Sequence, residues 1–119
     1  MKKVFTVESS ILPERLQESA LWTLVLGVPC SSGLEVEVGG PLPRPWRIHA
    51  RGERQALGIE WTLIEGDISS FSAVIAVDAG MLRATVEWMW PIAVPGPLQR
   101  EFEQAIERRF ERLVVAAER

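Results

Sequence analysis

The residues able to do acid, base or nucleophilic chemistry are few in this chain and sit apart from one another. His49 is its only histidine. It shares a strand face with Arg47 and Arg51, opposite Ile48 and Ala50, and the glutamates of Glu35-Val36-Glu37 are its natural cross-strand partners. That pattern predicts a surface charge cluster rather than a general base. Glu60 and Glu87 would have to share one desolvated site to act as an acid-base pair. Alternation instead puts each on the polar side of its strand. Asp67 and Asp78 stand in Glu65-Gly66-Asp67 and Asp78-Ala79-Gly80, where turn geometry accounts for Asp and Gly. Cys30 follows Pro29 with no histidine nearby to activate it. Phosphate-loop, dinucleotide, zinc-protease and nucleophile-elbow motifs are all missing. Neither a metal nor a cofactor is expected.

Bulk, by contrast, is concentrated. The stretch TVEWMWPI, Thr85 to Ile92, holds two tryptophans and a methionine within five residues, and the chain has five tryptophans and no tyrosine. Trp88 and Trp90 alternate onto the face of Val86. In an antiparallel sheet Trp61, with Trp46 and Ile48, would join them on one concave side. Large flat side chains build solid cores and line apolar pockets equally well. Both readings stay open at this point.

The remaining composition excludes several classes. With 119 residues, 47% hydrophobic and 24% charged, the chain reads as one globular domain spanning 1-119. Thirteen basic against sixteen acidic side chains give a net charge of −3, which offers polyphosphate or anionic lipid no general attraction. Nucleic acid is not an expected partner. A single cysteine forms no internal disulfide and fits a reducing cytoplasm. The start MKKVFTVESS lacks the apolar core of a secretion signal. The most apolar run, Ala20 to Val28, is far shorter than the roughly 20 residues that span a bilayer.

These residues are held by elements that the hydrophobic period outlines. Val4 to Val7 reads as a first strand. Ser9 and Ser10 are placed to cap a following helix, with Pro13 in its first turn and Leu12, Leu16 and Ala20 as its apolar stripe. Thr23 to Val28 fits either an extension of that helix or a strand. From Leu34 the period becomes two. Leu34, Val36 and Val38 form one inward set; Trp46, Ile48 and Ala50 a second; Leu57, Ile59, Trp61 and Leu63 a third. Phe71 to Val77 is apolar on both faces, which places it mid-sheet or under another element. Leu82, Ala84, Val86, Trp88 and Trp90 complete a meander of five strands. After Pro97 the period changes to three and four. Leu98, Phe102, Ala105, Ile106, Phe110, Leu113, Val114 and Ala117 predict an amphipathic helix of about six turns. Arg100, Arg108 and Arg112, with Glu103, Glu107 and Glu111, fall on its solvated side. The segment Pro41 to Pro45 reads as a rigid loop.

A strand, a short helix, a run of antiparallel strands and one long terminal helix resemble the helix-grip fold of the START-related, polyketide-cyclase-like (SRPBCC) superfamily. Ser10 to Leu16 is similar to that family's turn into its first helix, and Ala84 to Glu118 to its last strand and helix. Gln17 stands where the family usually has an aromatic, and its second small helix is expected to be cut down or absent. The resemblance implies an α+β fold: a curved antiparallel sheet of about six strands around the C-terminal helix, with a short N-terminal helix. It also implies that a hydrophobic small molecule or lipid binds between sheet and helix. The contacts would be Trp46, Ile48, Ile59, Trp61, Trp88 and Trp90 from the sheet, with Phe102 and Ile106 from the helix. Two alternatives accompany this reading. One is an interaction module with a filled core, acting through its surface or as a homodimer; the other is a cyclase- or isomerase-type enzyme.

Overall fold

The computed structural model describes residues 1–40 and 46–118; the loop expectation for Pro41 to Pro45 lies outside the described residues. Six strands form one antiparallel sheet: β1 (Lys2–Glu8), β2 (Glu35–Gly40), β3 (Trp46–Gln55), β4 (Gly58–Gly66), β5 (Ser70–Asp78) and β6 (Met81–Met89). Their spatial order is β1-β6-β5-β4-β3-β2. Consecutive strands from β2 to β6 pair as neighbours, and β1 joins the sheet against β6 at the far edge, with Phe5 opposite Ala84. The α+β helix-grip architecture expected from the sequence is the one present.

The meander follows from alternation and from its turns. Trp46, Ile48 and Ala50 on β3, then Ala73, Ile75 and Val77 on β5, then Leu82, Ala84, Val86 and Trp88 on β6, are all buried, and the residues between them are not. The β5–β6 hairpin turns through Ala79 and Gly80, both at positive φ (50° and 77°), with Asp78 paired to Met81. Two central residues at positive φ make a tight turn whose twist matches the strands. Between β3 and β4 the register shifts at His49/Ala50, where Ile64 is the extra residue. The bulge bends the sheet while keeping Ile48 and Ala50 on the same inward face.

Within these strands one sequence expectation needs correction and one is met. Leu57 belongs to the β3–β4 turn and is exposed, so the inward set on β4 begins at Ile59. β5 is mid-sheet but covered on one face only, since Val74 is exposed on the other.

The N-terminal helical region also differs from expectation. Pro13–Gln17 forms a 3₁₀ turn, Glu18 is extended (φ −88°, ψ 123°), and the α-helix α1 runs from Ser19 to Leu26. The interruption splits the expected stripe: Leu16 is buried, whereas Leu12 and Ala20 face out. Leu21, Trp22 and Val25 do the packing instead. Ser9 does not cap a helix; its hydroxyl oxygen accepts from the Ile11 amide at 3.2 Å. A short second helix thus follows the 3₁₀ turn, and Thr23 to Leu26 continues it up to Gly27, which ends it at φ 70°. Gln17 has a specific duty: its amide nitrogen donates to the carbonyls of Gln55 (2.7 Å) and Gly58 (3.0 Å), pinning the 3₁₀ turn to the β3–β4 hairpin.

The terminal helix α2 (Gly96–Ala117) lies across the concave face of the sheet. Phe102, Leu113 and Ala116 are its fully buried residues. Lys3 of β1 reaches Glu103 at 3.8 Å, and Arg15 donates to the Ala116 carbonyl at 3.5 Å, so both ends of the helix are tethered. Among the described residues, no helix is long and apolar enough to cross a membrane.

Candidate functional site: an apolar cavity beneath the terminal helix

The concave face is half solid and half hollow. In the solid half Phe102 is a hub for three indoles: ring centroids lie 5.1 Å from Trp46, 5.3 Å from Trp88 and 5.1 Å from Trp90. Tilted and edge-on arrangements of this kind suit the ring quadrupoles and fill space well. Trp88 is 2% exposed and lies off the cavity wall. Here the bulk of TVEWMWPI is core.

Beside this cluster a cavity of about 120 Å³ opens between sheet and helix. Its floor carries Val36 and Val38 of β2, Trp46, Ile48 and Ala50 of β3, and Trp61 of β4. Ala73, Ala84 and Val86 extend that floor across β5 and β6. Trp22 and Val25 of α1 close one end, and Phe102, Ala105, Ile106 and Phe110 of α2 form the roof. The hollow follows from side-chain size. Alanines at 50, 73 and 84 on the floor and at 105 on the roof leave room where larger residues would meet. Phe5 and Phe110 stack at 5.1 Å along one wall, and Trp22 meets Trp61 edge-on at 5.3 Å along another.

Of the eight residues singled out from the sequence, the cavity wall brings together Trp46, Ile48, Trp61, Phe102 and Ile106. The other three stand off it. Ile59 is wholly buried nearer the β3–β4 turn, packed over Gly52, while Trp88 and Trp90 are taken up by Phe102. Thr62 and Thr85 lie off the cavity wall and supply it no polar group.

Among the described residues one charged residue, Arg109, borders the cavity, and sequence reasoning passed over it. Arg109 stands between Arg108, which reads as solvated, and Phe110, which reads as apolar, and it sits four residues after Ala105 and three after Ile106, both on the apolar stripe. Its Nη1 donates back to the Ala105 carbonyl at 3.1 Å, while its buried Nε has no hydrogen-bond partner among the described residues. Burial, then the charges of Arg112 and Arg108, push its guanidinium below the ordinary arginine value. A guanidinium nonetheless stays charged in proteins. Arg109, Trp46 and Ala105 are shared with a second, open groove whose rim holds Gly39, Gly40, Glu101, Arg108 and Arg112. The Trp61 indole N–H is likewise buried without an acceptor.

The remaining chemical groups stay outside. His49, Arg47 and Arg51 pair with Glu35 and Glu37 on the convex face, at 3.4 Å for His49–Glu35 and 3.3 Å for Arg47–Glu37. The Arg51 hydrogen bond first, then His49, hold the Glu35 carboxyl below its ordinary value. Asp67 does more than make a turn: its carboxylate accepts from the Arg47 amide at 2.7 Å, fixing the start of β3 next to Trp46. Glu60 and Glu87 face different partners, Val74 and Ser72, on the convex side. Burial raises the Cys30 thiol, leaving it a poor nucleophile. Among the described residues, no three His, Cys, Asp or Glu side chains converge as a metal site requires.

The same frame occurs in solved structures. A START superfamily protein from Mycobacterium smegmatis superposes with a TM-score of 0.64 at 14% identity, covering 98% of this chain and 97% of the other. The protein TTHA0849 from Thermus thermophilus gives 0.60 at 17% identity, and major latex-like protein 151 from Panax ginseng 0.58 at 8%, each with 98% and 97% coverage. At these identities the likeness defines the fold alone: this chain has the helix-grip fold of START-related proteins. No family model and no curated protein matches the sequence.

Proposed function

We propose that the protein binds a small hydrophobic molecule, carrying one ring or a short chain, in the cavity between sheet and α2. The observation that carries this reading is the hollow itself: a nearly all-apolar space walled by aromatic and aliphatic side chains. A dry apolar cavity of about 150 Å³ takes up benzene, whereas drug-sized ligands occupy roughly 300 Å³ or more. At about 120 Å³ the present one suits a ring-sized group; a sterol or long acyl chain would require α2 to lift. Each square ångström of apolar ligand surface removed from water contributes about 25 cal/mol. The neighbours' fold, including that of a START superfamily protein, is compatible with this use.

The reading is of binding rather than turnover, because among the described residues the only titratable side chain lining the cavity is an arginine, with no acid or histidine on the wall beside it. The lone cysteine favours a reducing compartment such as the cytoplasm. Native mass spectrometry on protein purified without detergent tests the proposal, since one spectrum reports both bound mass and subunit number. Added mass that leaves on gentle activation supports a binding protein. A ligand-free dimer would instead assign the apolar surface to self-association.

A further inference from the structure

We infer that the cavity's ligand is an acid: a ring or short alkyl chain inserted among Trp61, Ala73 and Ala84, bearing a carboxylate that Arg109 receives at the opening toward the arginine-rimmed groove. This rests on the proposed binding function and specifies its ligand class.

Three observations converge on it. First, among the described residues Arg109 is the single charged one on the cavity wall, and it stands where cavity and groove share side chains with Trp46 and Ala105. A molecule with its apolar end in the cavity therefore presents its other end to this guanidinium. Second, the polar atoms that the wall residues leave unpaired, Arg109 Nε and Trp61 Nε1, are both donors. A buried donor without an acceptor carries a desolvation penalty that a ligand acceptor relieves, and a ligand hydroxyl offers less relief than an anion. Third, among the described residues no carboxylate lies within 4.0 Å of Arg109, while Arg108 and Arg112 flank it along the groove. Among the described residues Glu101 is the one acid on that rim, and its charge is outnumbered.

An arginine lying along a helix surface can simply cover apolar area with its stem. That arrangement leaves the head in water. Here the stem folds back so that Nη1 bonds the Ala105 carbonyl and Nε is turned away from solvent with nothing to meet. A covering role does not call for that burial; reception of an anion does.

The test uses a matched pair of probes, 4-phenylbutyrate and 4-phenyl-1-butanol, titrated calorimetrically into the full chain at neutral pH. Their apolar parts are alike and only the head group differs. The wild type is expected to bind the acid more tightly than the alcohol by roughly tenfold, the scale of one charge-assisted hydrogen-bonded contact. In Arg109→Gln that preference should vanish, the acid losing far more affinity than the alcohol, and an unchanged urea midpoint shows that the variant is folded. Arg109→Lys should restore part of the preference. Equal affinities in the wild type, or an acid preference that survives Arg109→Gln, would overturn the anchor and leave the apolar pocket standing. Binding of neither probe would overturn both.

Discussion

The indole of Trp46 stands edge-on to the ring of Phe102, centroids 5.1 Å apart and planes at 71°. Both residues also border the cavity, so this pair is the seam between the packed and hollow halves of the concave face. Removing Phe102 should unseat three indoles at once. Phe102→Ala is expected to cost about 3–5 kcal/mol, the usual range for a buried aromatic, read from the urea midpoint at constant slope. A loss under about 1 kcal/mol would contradict the hub arrangement.

The two tryptophan environments should separate under mutation. Trp88 packs on Phe102 with its N–H unpaired, so Trp88→Phe sheds an unsatisfied donor and should cost much less than Trp88→Ala. Neither change touches the cavity wall. Trp61→Ala enlarges the cavity and should admit bulkier apolar probes in tryptophan-quenching titrations, an effect that Trp88→Ala should lack.

Filling the hollow gives the converse result. Ala84 lies on the floor between Phe5 and Ile75. Ala84→Leu should abolish uptake of 4-phenyl-1-butanol while leaving thermal stability within about 1.5 kcal/mol of the parent or raising it, since the added methyls enter vacant space. Unchanged uptake in a folded variant would place binding elsewhere.

Acid sensitivity should reside partly in Glu35. Its carboxyl titrates below the ordinary 4.5 in the folded chain because Arg51 and His49 bond to its ionised form. A group with a depressed folded value contributes stability above its unfolded value, and that contribution is lost as pH falls through the folded one. The urea midpoint of Glu35→Gln should therefore lie below that of the wild type at neutral pH, and the gap should close as pH falls through and below the ordinary glutamate range. A constant gap across that window would show that Glu35 acts through packing.

Much of the fold was legible because strand and helix periods differ so sharply in this chain. Trp46-x-Ile48-x-Ala50 and Leu82-x-Ala84-x-Val86-x-Trp88 allow only one inward face, and the stripe from Phe102 to Leu113 allows only a helix. The stripe Leu12, Leu16, Ala20 misled because extended Glu18 divides it, and no periodicity argument registers a single residue leaving the helical region. Facing direction is likewise not distance. Alternation puts Trp61 and Trp88 on one side of the sheet, but whether an indole meets a ring or a void depends on alanines contributed by other strands. Arg109, between charged Arg108 and apolar Phe110, falls at the edge of the stripe, and only its phase with Ala105 and Ile106 ties it to the cavity side.

Arg108, Arg109 and Arg112 gather positive charge at one mouth of a molecule whose net charge is −3. Such asymmetry acts on arrival more than on residence. Anions should be drawn toward this end from beyond contact range, and association should slow as added salt shortens the roughly 10 Å reach of the field at 0.1 M. Departure, governed by close contacts that salt screens far less, should change little. An acid would then be captured quickly in dilute buffer and slowly in concentrated brine, with its residence time nearly the same in both.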